Sequence, residues 1–137
     1  MLGLAAQWLG VNQTQANSVA PILISEEQGR HKSTFCRMLM PPQLARYYSD
    51  NLKLTAQGNP ERLLAEMGLL NMDEFDKFGA QKMPLLKNLM QMSSLNICKA
   101  YQKNFRSLPR IASFIGTSNR TDLLCDPTGS RRFICIE

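Results

Sequence analysis

Apolar positions recur along this chain in two rhythms, every second residue and every third or fourth, and the switches between them predict its elements. Leu4, Ala5, Trp8 and Leu9 keep helical spacing, and Trp8 with Leu9 is expected to pack this first helix against the body. Ala20 to Ile24 is a short apolar run that predicts a strand, and Ser33 to Leu39 predicts a helix that Pro41-Pro42 stops. Arg46 to Leu54 reads as extended, and Glu61 to Met67 reads as a helix with proline near its first position. Gly68 to Met72 is a second buried strand. Phe78 to Met92 is an amphipathic helix with Met83, Leu86, Leu89 and Met90 inward and Pro84 in its first turn. Leu95 to Phe105 alternates, Pro109 interrupts, Ile111 to Gly116 is a third buried strand, and Arg132 to Ile136 is the last.

Strands that alternate with helices predict an α/β fold of three layers around a largely parallel sheet. Residues 1–19 form an N-terminal helical segment packed on a core of residues 20–137. Ligands of such sheets sit at the carboxyl ends of the strands. Three predicted strands end in chemically loaded residues: the first runs into Gln28 to Thr34, the second into Asp73-Glu74, and the third into Asn119.

Composition narrows the class further. The chain has 137 residues, 44% hydrophobic and 20% charged, which suits one globular domain. No apolar run approaches the roughly 20 residues that span a bilayer. No basic residue precedes Arg30, so the apolar start lacks a secretory flank, and a cytoplasmic location is expected. Four scattered cysteines and one histidine make a structural zinc site improbable and suit reduced thiols. Charge is polarised: residues 77–132 carry ten basic against two acidic residues, within a chain whose net charge is +5. That asymmetry points to a polyanionic partner.

The run Ser25-Glu26-Glu27-Gln28-Gly29-Arg30-His31-Lys32-Ser33-Thr34 follows a strand and opens a helix, the context of a phosphate-binding loop. Gln28, Gly29, Arg30, His31 and Thr34 would line the phosphates with backbone N–H groups, Lys32 would reach the β- and γ-phosphates of ATP, and Ser33 would ligate Mg2+. The two glycine positions of G-x-x-x-x-G-K-[ST] hold Glu26 and His31, and the bulk of His31 is expected to narrow the loop. Leu69-Leu70-Asn71-Met72-Asp73-Glu74 has the form of a Walker B strand, with Asp73 on the metal and Glu74 as the base that activates water. Ser113 to Asn119 delivers an amide where a γ-phosphate sensor is expected. Gly129-Ser130-Arg131-Arg132-Phe133 supplies Arg131 and Arg132 as candidate arginine fingers.

With these residues in order, the chain resembles the virulence-associated protein E family, phage- and island-associated P-loop ATPases related to superfamily 3 helicases and viral primase-helicases. The resemblance rests on S-E-E-Q-G-R-H-K-S-T-F, L-N-M-D-E-F-D-K, L-K-N-L-M-Q-M, K-A-Y-Q-K-N-F, P-R-I-A-S-F-I-G-T-S-N-R and D-P-T-G-S-R-R-F, across roughly residues 20–137. It implies a RecA/AAA+-like P-loop NTPase core, truncated at its C-terminus, and a homo-oligomeric ring in which Arg131 or Arg132 completes a neighbour's site. Its implied partner is single-stranded or forked DNA.

Ile97, Lys99, Tyr101, Lys103 and Phe105 share one parity, so an unbroken strand would display them together. Lys99 and Lys103 would neutralise phosphates while Tyr101 and Phe105 stack on unpaired bases. The resemblance implies a β-hairpin before the sensor strand that touches DNA. The reading is therefore an ATP-dependent, DNA-acting helicase-type ATPase of a phage or mobile element. The alternative is a degenerate P-loop domain that binds nucleic acid or a protein without hydrolysis, for which Glu26 and His31 speak.

Overall fold

The computed structural model describes residues 2–10, 17–27, 29–55, 58–98, 105–120 and 132–137. Its centre is a parallel five-stranded sheet built from β1 (Ala20–Ile24), β2 (Tyr48–Ser49), β3 (Leu69–Met72), β6 (Ser113–Ser118) and β7 (Phe133–Ile136) in the order β2-β3-β6-β1-β7. β4 (Ser94–Cys98) and β5 (Phe105–Pro109) form a separate antiparallel pair immediately before β6.

Both faces of the sheet are covered, as a parallel sheet requires. Ala20, Ile22, Leu70, Met72 and Phe114 face one way, where Leu64 of α3 (Pro60–Glu66) and Leu86, Leu89 and Met90 of α4 (Met83–Gln91) close over them. Leu69 and Ile115 face the other way, under Cys36 of α2 (Lys32–Met38) and Met40, with Leu4 and Trp8 of α1 (Leu2–Leu9) packed alongside. The result is the three-layer arrangement that the sequence pattern predicts. Of the methionines between positions 67 and 92, Met72 and Met90 are fully buried while Met67, Met83 and Met92 pack against the same core. Met fills such irregular gaps well.

β6 is the innermost strand and all six of its residues are buried. Gly116 at its middle leaves the room this requires: a Cβ there would stand 2.6 Å from Ile22 Cδ1 and 3.3 Å from the Met72 carbonyl. The glycine thus leaves space on that face of the sheet for the tip of the Ile22 side chain.

Several expectations shift. Trp8 docks through an Nε1–H bond to the Gly68 carbonyl at 2.9 Å, but Leu9 is 77% exposed, because neighbours in a helix point about 100° apart. The stretch expected to be extended from Arg46 is a 3₁₀ turn over Pro42–Tyr47, begun by Pro42, and only Tyr48–Ser49 pair as strand. The helix expected from Phe78 begins at Met83, after 3₁₀ turns at Phe75–Lys77 and Ala80–Lys82. Pro84 has no N–H to give the Ala80 carbonyl, so α4 could not extend further back. The third core strand starts at Ser113 rather than Ile111 and runs two residues past Gly116, through Thr117 and Ser118.

In the hairpin, Ile97 lies opposite Arg106 and Cys98 opposite Phe105. Opposed residues share a face of a ladder, so position 105 falls with position 98 and not with 97. The single-parity expectation from Ile97 to Phe105 is therefore corrected: the chain reverses between them and resets the alternation. Lys99, Tyr101 and Lys103 lie outside the described residues.

Candidate functional site

The loop after β1, the acid pair after β3 and the end of β6 converge at the carboxyl edge of the sheet. They line a pocket of about 320 Å³ that includes Gly29, His31, Lys32, Asp73, Thr117 and Asn119. A larger hollow of about 620 Å³ lies elsewhere, against Trp8, Met40 and Met67, and is lined mainly by apolar side chains.

Lys32 begins α2, and its Nζ donates to the Ser25 carbonyl at 2.8 Å and to Asn119 Oδ1 at 2.7 Å. Ser33 Oγ donates to Asp73 Oδ1 at 2.8 Å. Residues 40 to 87 positions apart in sequence are thus in direct contact. The closure is reinforced where the Ser25 N–H donates to the Ser118 carbonyl at 3.2 Å. Gly29, Arg30 and Thr34 line the same pocket as Lys32 and Ser33, and Gln28 lies outside the described residues.

The backbone bends where the motif places its second glycine. His31 has φ 52° and Gly29 has φ 83°, so the chain takes the left-handed turn with an imidazole where a glycine would be free of cost. His31 makes no side-chain cap bond to α2 that would offset this. His31→Gly removes a backbone cost of about 1–2 kcal/mol and adds up to about 1 kcal/mol of unfolded-chain entropy. The net expectation is a gain in stability of about 0–2 kcal/mol, read from the urea midpoint. A lower midpoint would mean that the imidazole holds the loop.

Glu74 is also left-handed, at φ 51°. Its Oε2 sits 2.6 Å from Lys77 Nζ, in a pair exposed to solvent on both sides. That hydrogen bond raises the Lys77 pKa. Beneath the site, burial pushes the Cys36 thiol up to about 11, and the Asp73 charge adds to the rise. Cys36 is therefore a neutral packing group rather than a nucleophile.

Sequence reasoning missed Thr117. Its Oγ1 donates to Asp73 Oδ1 at 2.5 Å and accepts from the Glu74 N–H at 3.3 Å. Ser118 does similar work beside it, donating to Asp76 Oδ1 at 3.0 Å and accepting from the Arg120 N–H at 3.0 Å. The available signal was strand parity, since Thr117 stands two positions before Asn119.

Arg132 is not brought to this pocket. Phe133 lies opposite Ala20, at the amino end of β1, whereas the loop follows Ile24 at the carboxyl end. Four residues of strand, about 13 Å, separate the two. Arg131 lies outside the described residues.

The donor set suits a hard cation: a hydroxyl and a carboxylate in contact, both oxygen ligands. Among the described residues no group of three His, Cys, Asp or Glu side chains is placed to hold a metal alone. Such a pair leaves coordination positions for water and phosphate, as Mg2+ commonly requires. No described helix is long and apolar enough to cross a membrane.

No curated protein matches the chain. Among solved structures, an A-form apo structure of the C-terminal region of NrS-1 (305–718) is similar at 23% identity with a TM-score of 0.62. A second apo structure of that region gives 22% and 0.64. Each comparison covers 99% of this chain, which spans only 32% and 34% of those structures. At that identity the likeness is one of fold. The profile of the virulence-associated protein E-like domain matches residues 9–137, from the end of α1 through β7. The loop, acid pair and Asn119 that meet at the pocket all fall within this span, and the chain belongs to the virulence-associated protein E-like domain family.

Proposed function

We propose that this chain is the P-loop, RecA/AAA+-like ATPase core of a helicase-type protein that acts on DNA in the replication of a phage or mobile element, in the cytoplasm. The observation that carries the reading is the interlock of Lys32 with Asn119 and of Ser33 with Asp73 around one pocket at the carboxyl ends of three strands.

In this reading the backbone of Gly29 to Thr34 and the Lys32 ammonium bind the phosphates of ATP. Lys32 exchanges its bond to Asn119 for phosphate oxygens, which frees the Asn119 amide to meet the γ-phosphate. Ser33 and Asp73 hold Mg2+, which supplies charge stabilisation to the phosphoryl group. Glu74 leaves Lys77 and takes a proton from the attacking water as the bond between the γ-phosphorus and the ADP oxygen breaks. Arg132, at the far end of β1, serves a neighbour's pocket in a ring rather than its own, and Arg131 is the alternative finger.

The hairpin supplies the DNA contact through Lys99, Tyr101, Lys103 and Phe105, with Arg106 exposed on the adjoining strand. A degenerate P-loop domain that binds nucleic acid or a protein without hydrolysing ATP is the second reading, and the left-handed His31 in the loop favours it.

The test is a titration of ATP with Mg2+, followed by phosphate release with and without single-stranded DNA. Lys32→Ala is expected to weaken ATP binding by at least about tenfold, the worth of one charge-assisted bond. Lys99→Ala with Lys103→Ala is expected to flatten the salt dependence of DNA binding by up to about two phosphate contacts. No phosphate release, whether or not ATP binds, would overturn the ATPase reading and favour the second one.

A further inference from the structure

Asp73 is the only carboxylate that the reading above places on the cation, and the structure gives one of its oxygens two hydroxyl donors, Ser33 at 2.8 Å and Thr117 at 2.5 Å. The two donors differ in what stands behind them. Ser33 is the second residue of α2, at the pocket rim, and its bond to Asp73 is exposed. Thr117 is 2% exposed and belongs to β6, which is paired on both sides.

A hydroxyl has one proton to give and lone pairs to receive. Thr117 uses both capacities within the acid pair: the proton goes to Asp73, and the Glu74 N–H is received at 3.3 Å. The second bond matters because Glu74 sits at φ 51° and ψ 51°, a conformation that a residue with a side chain holds only where its surroundings impose it. One buried hydroxyl therefore fixes both the plane of the metal carboxylate and the backbone from which the water-activating carboxylate leaves. The adjacent Ser118–Asp76 bond at 3.0 Å ties the next part of the same turn to the same strand.

We infer that Thr117 is the positioning residue of this site: it holds Asp73 in its cation-binding orientation and Glu74 in its left-handed turn, so that cation affinity depends on a hydroxyl that acts through Asp73. The inference rests on the nucleotide reading and goes beyond it. Outer partners of metal ligands typically set affinity by 10- to 100-fold. Phosphate binding by Lys32 and the loop uses other atoms and should not respond.

The experiment follows a fluorescent ATP analogue on the full chain at graded Mg2+ and in excess EDTA. Thr117→Val, nearly the same volume without the hydroxyl, is expected to raise half-saturating Mg2+ by about 10- to 100-fold while leaving binding in EDTA unchanged. Thr117→Ser restores the hydroxyl and is expected to return the Mg2+ dependence to within a few-fold of wild type, which a loss of packing would not do. A Thr117→Val chain with wild-type Mg2+ dependence overturns the inference and leaves the nucleotide reading standing. Equal loss with and without Mg2+, unrescued by serine, makes Thr117 a packing residue and also overturns it. A wild-type chain that binds the analogue identically with Mg2+ and EDTA overturns the Mg2+ reading itself.

Discussion

Glu74→Gln is expected to keep ATP binding within a few-fold of wild type and to lower phosphate release by at least about 100-fold, the usual worth of a general base. Glutamine preserves the length of the side chain and the left-handed backbone at φ 51°, but it has no charge to take a proton from water. Asp73→Asn should behave in the opposite way. Asp73 accepts hydrogen bonds from both Ser33 and Thr117, so an amide there turns a doubly accepting oxygen site into one that pairs with a cation poorly. Mg2+-dependent binding should fall first, and turnover with it. Equilibrium binding at graded Mg2+ and single-turnover release separate the two variants. Unchanged release in both would remove Asp73 and Glu74 from the chemistry.

Leu70→Ala carries the largest expected cost in stability, about 2–5 kcal/mol. Leu70 is fully buried on β3, opposite Phe114 of β6 on one side and Ser49 of β2 on the other. Its loss opens a cavity in the layer closed by α3 and α4 and loosens the strand that ends in the acid pair. Chemical denaturation should show the loss as a lower midpoint at unchanged slope, and Mg2+-dependent binding should weaken as the population of unfolded chain rises. Met38→Ser provides the contrast: Met38 is 77% exposed on α2, and the change should stay within about 0.5 kcal/mol. A Leu70→Ala midpoint equal to that of Met38→Ser would mean that the sheet does not depend on this face for its stability.

The sequence by itself determined the elements that rest on local pattern and chemistry. Short apolar runs located β1 and β3, and period-3.6 spacing located α2 and α3, to within a few residues, because a strand covered on both faces reads as a continuous apolar run and a helix buried on one face repeats its apolar positions. Lys32, Ser33, Asp73 and Asn119 were legible as one site because ligands collect where parallel strands end, and each stands at such an end. The family was legible in the same residues.

Only the tertiary structure decided the rest. The hairpin reset the parity of Phe105, since pairing between strands, not distance along the chain, sets the face a residue takes. Arg132 fell at the far end of β1 because the register of β7 on β1 is fixed by the sheet and carries no local signal. Thr117 has no legible role in the sequence, because a polar side chain in the buried strand β6 has its partners 43 and 44 positions away. It is tolerated there only because β3 brings it a carboxylate and an N–H that no neighbour in sequence could supply.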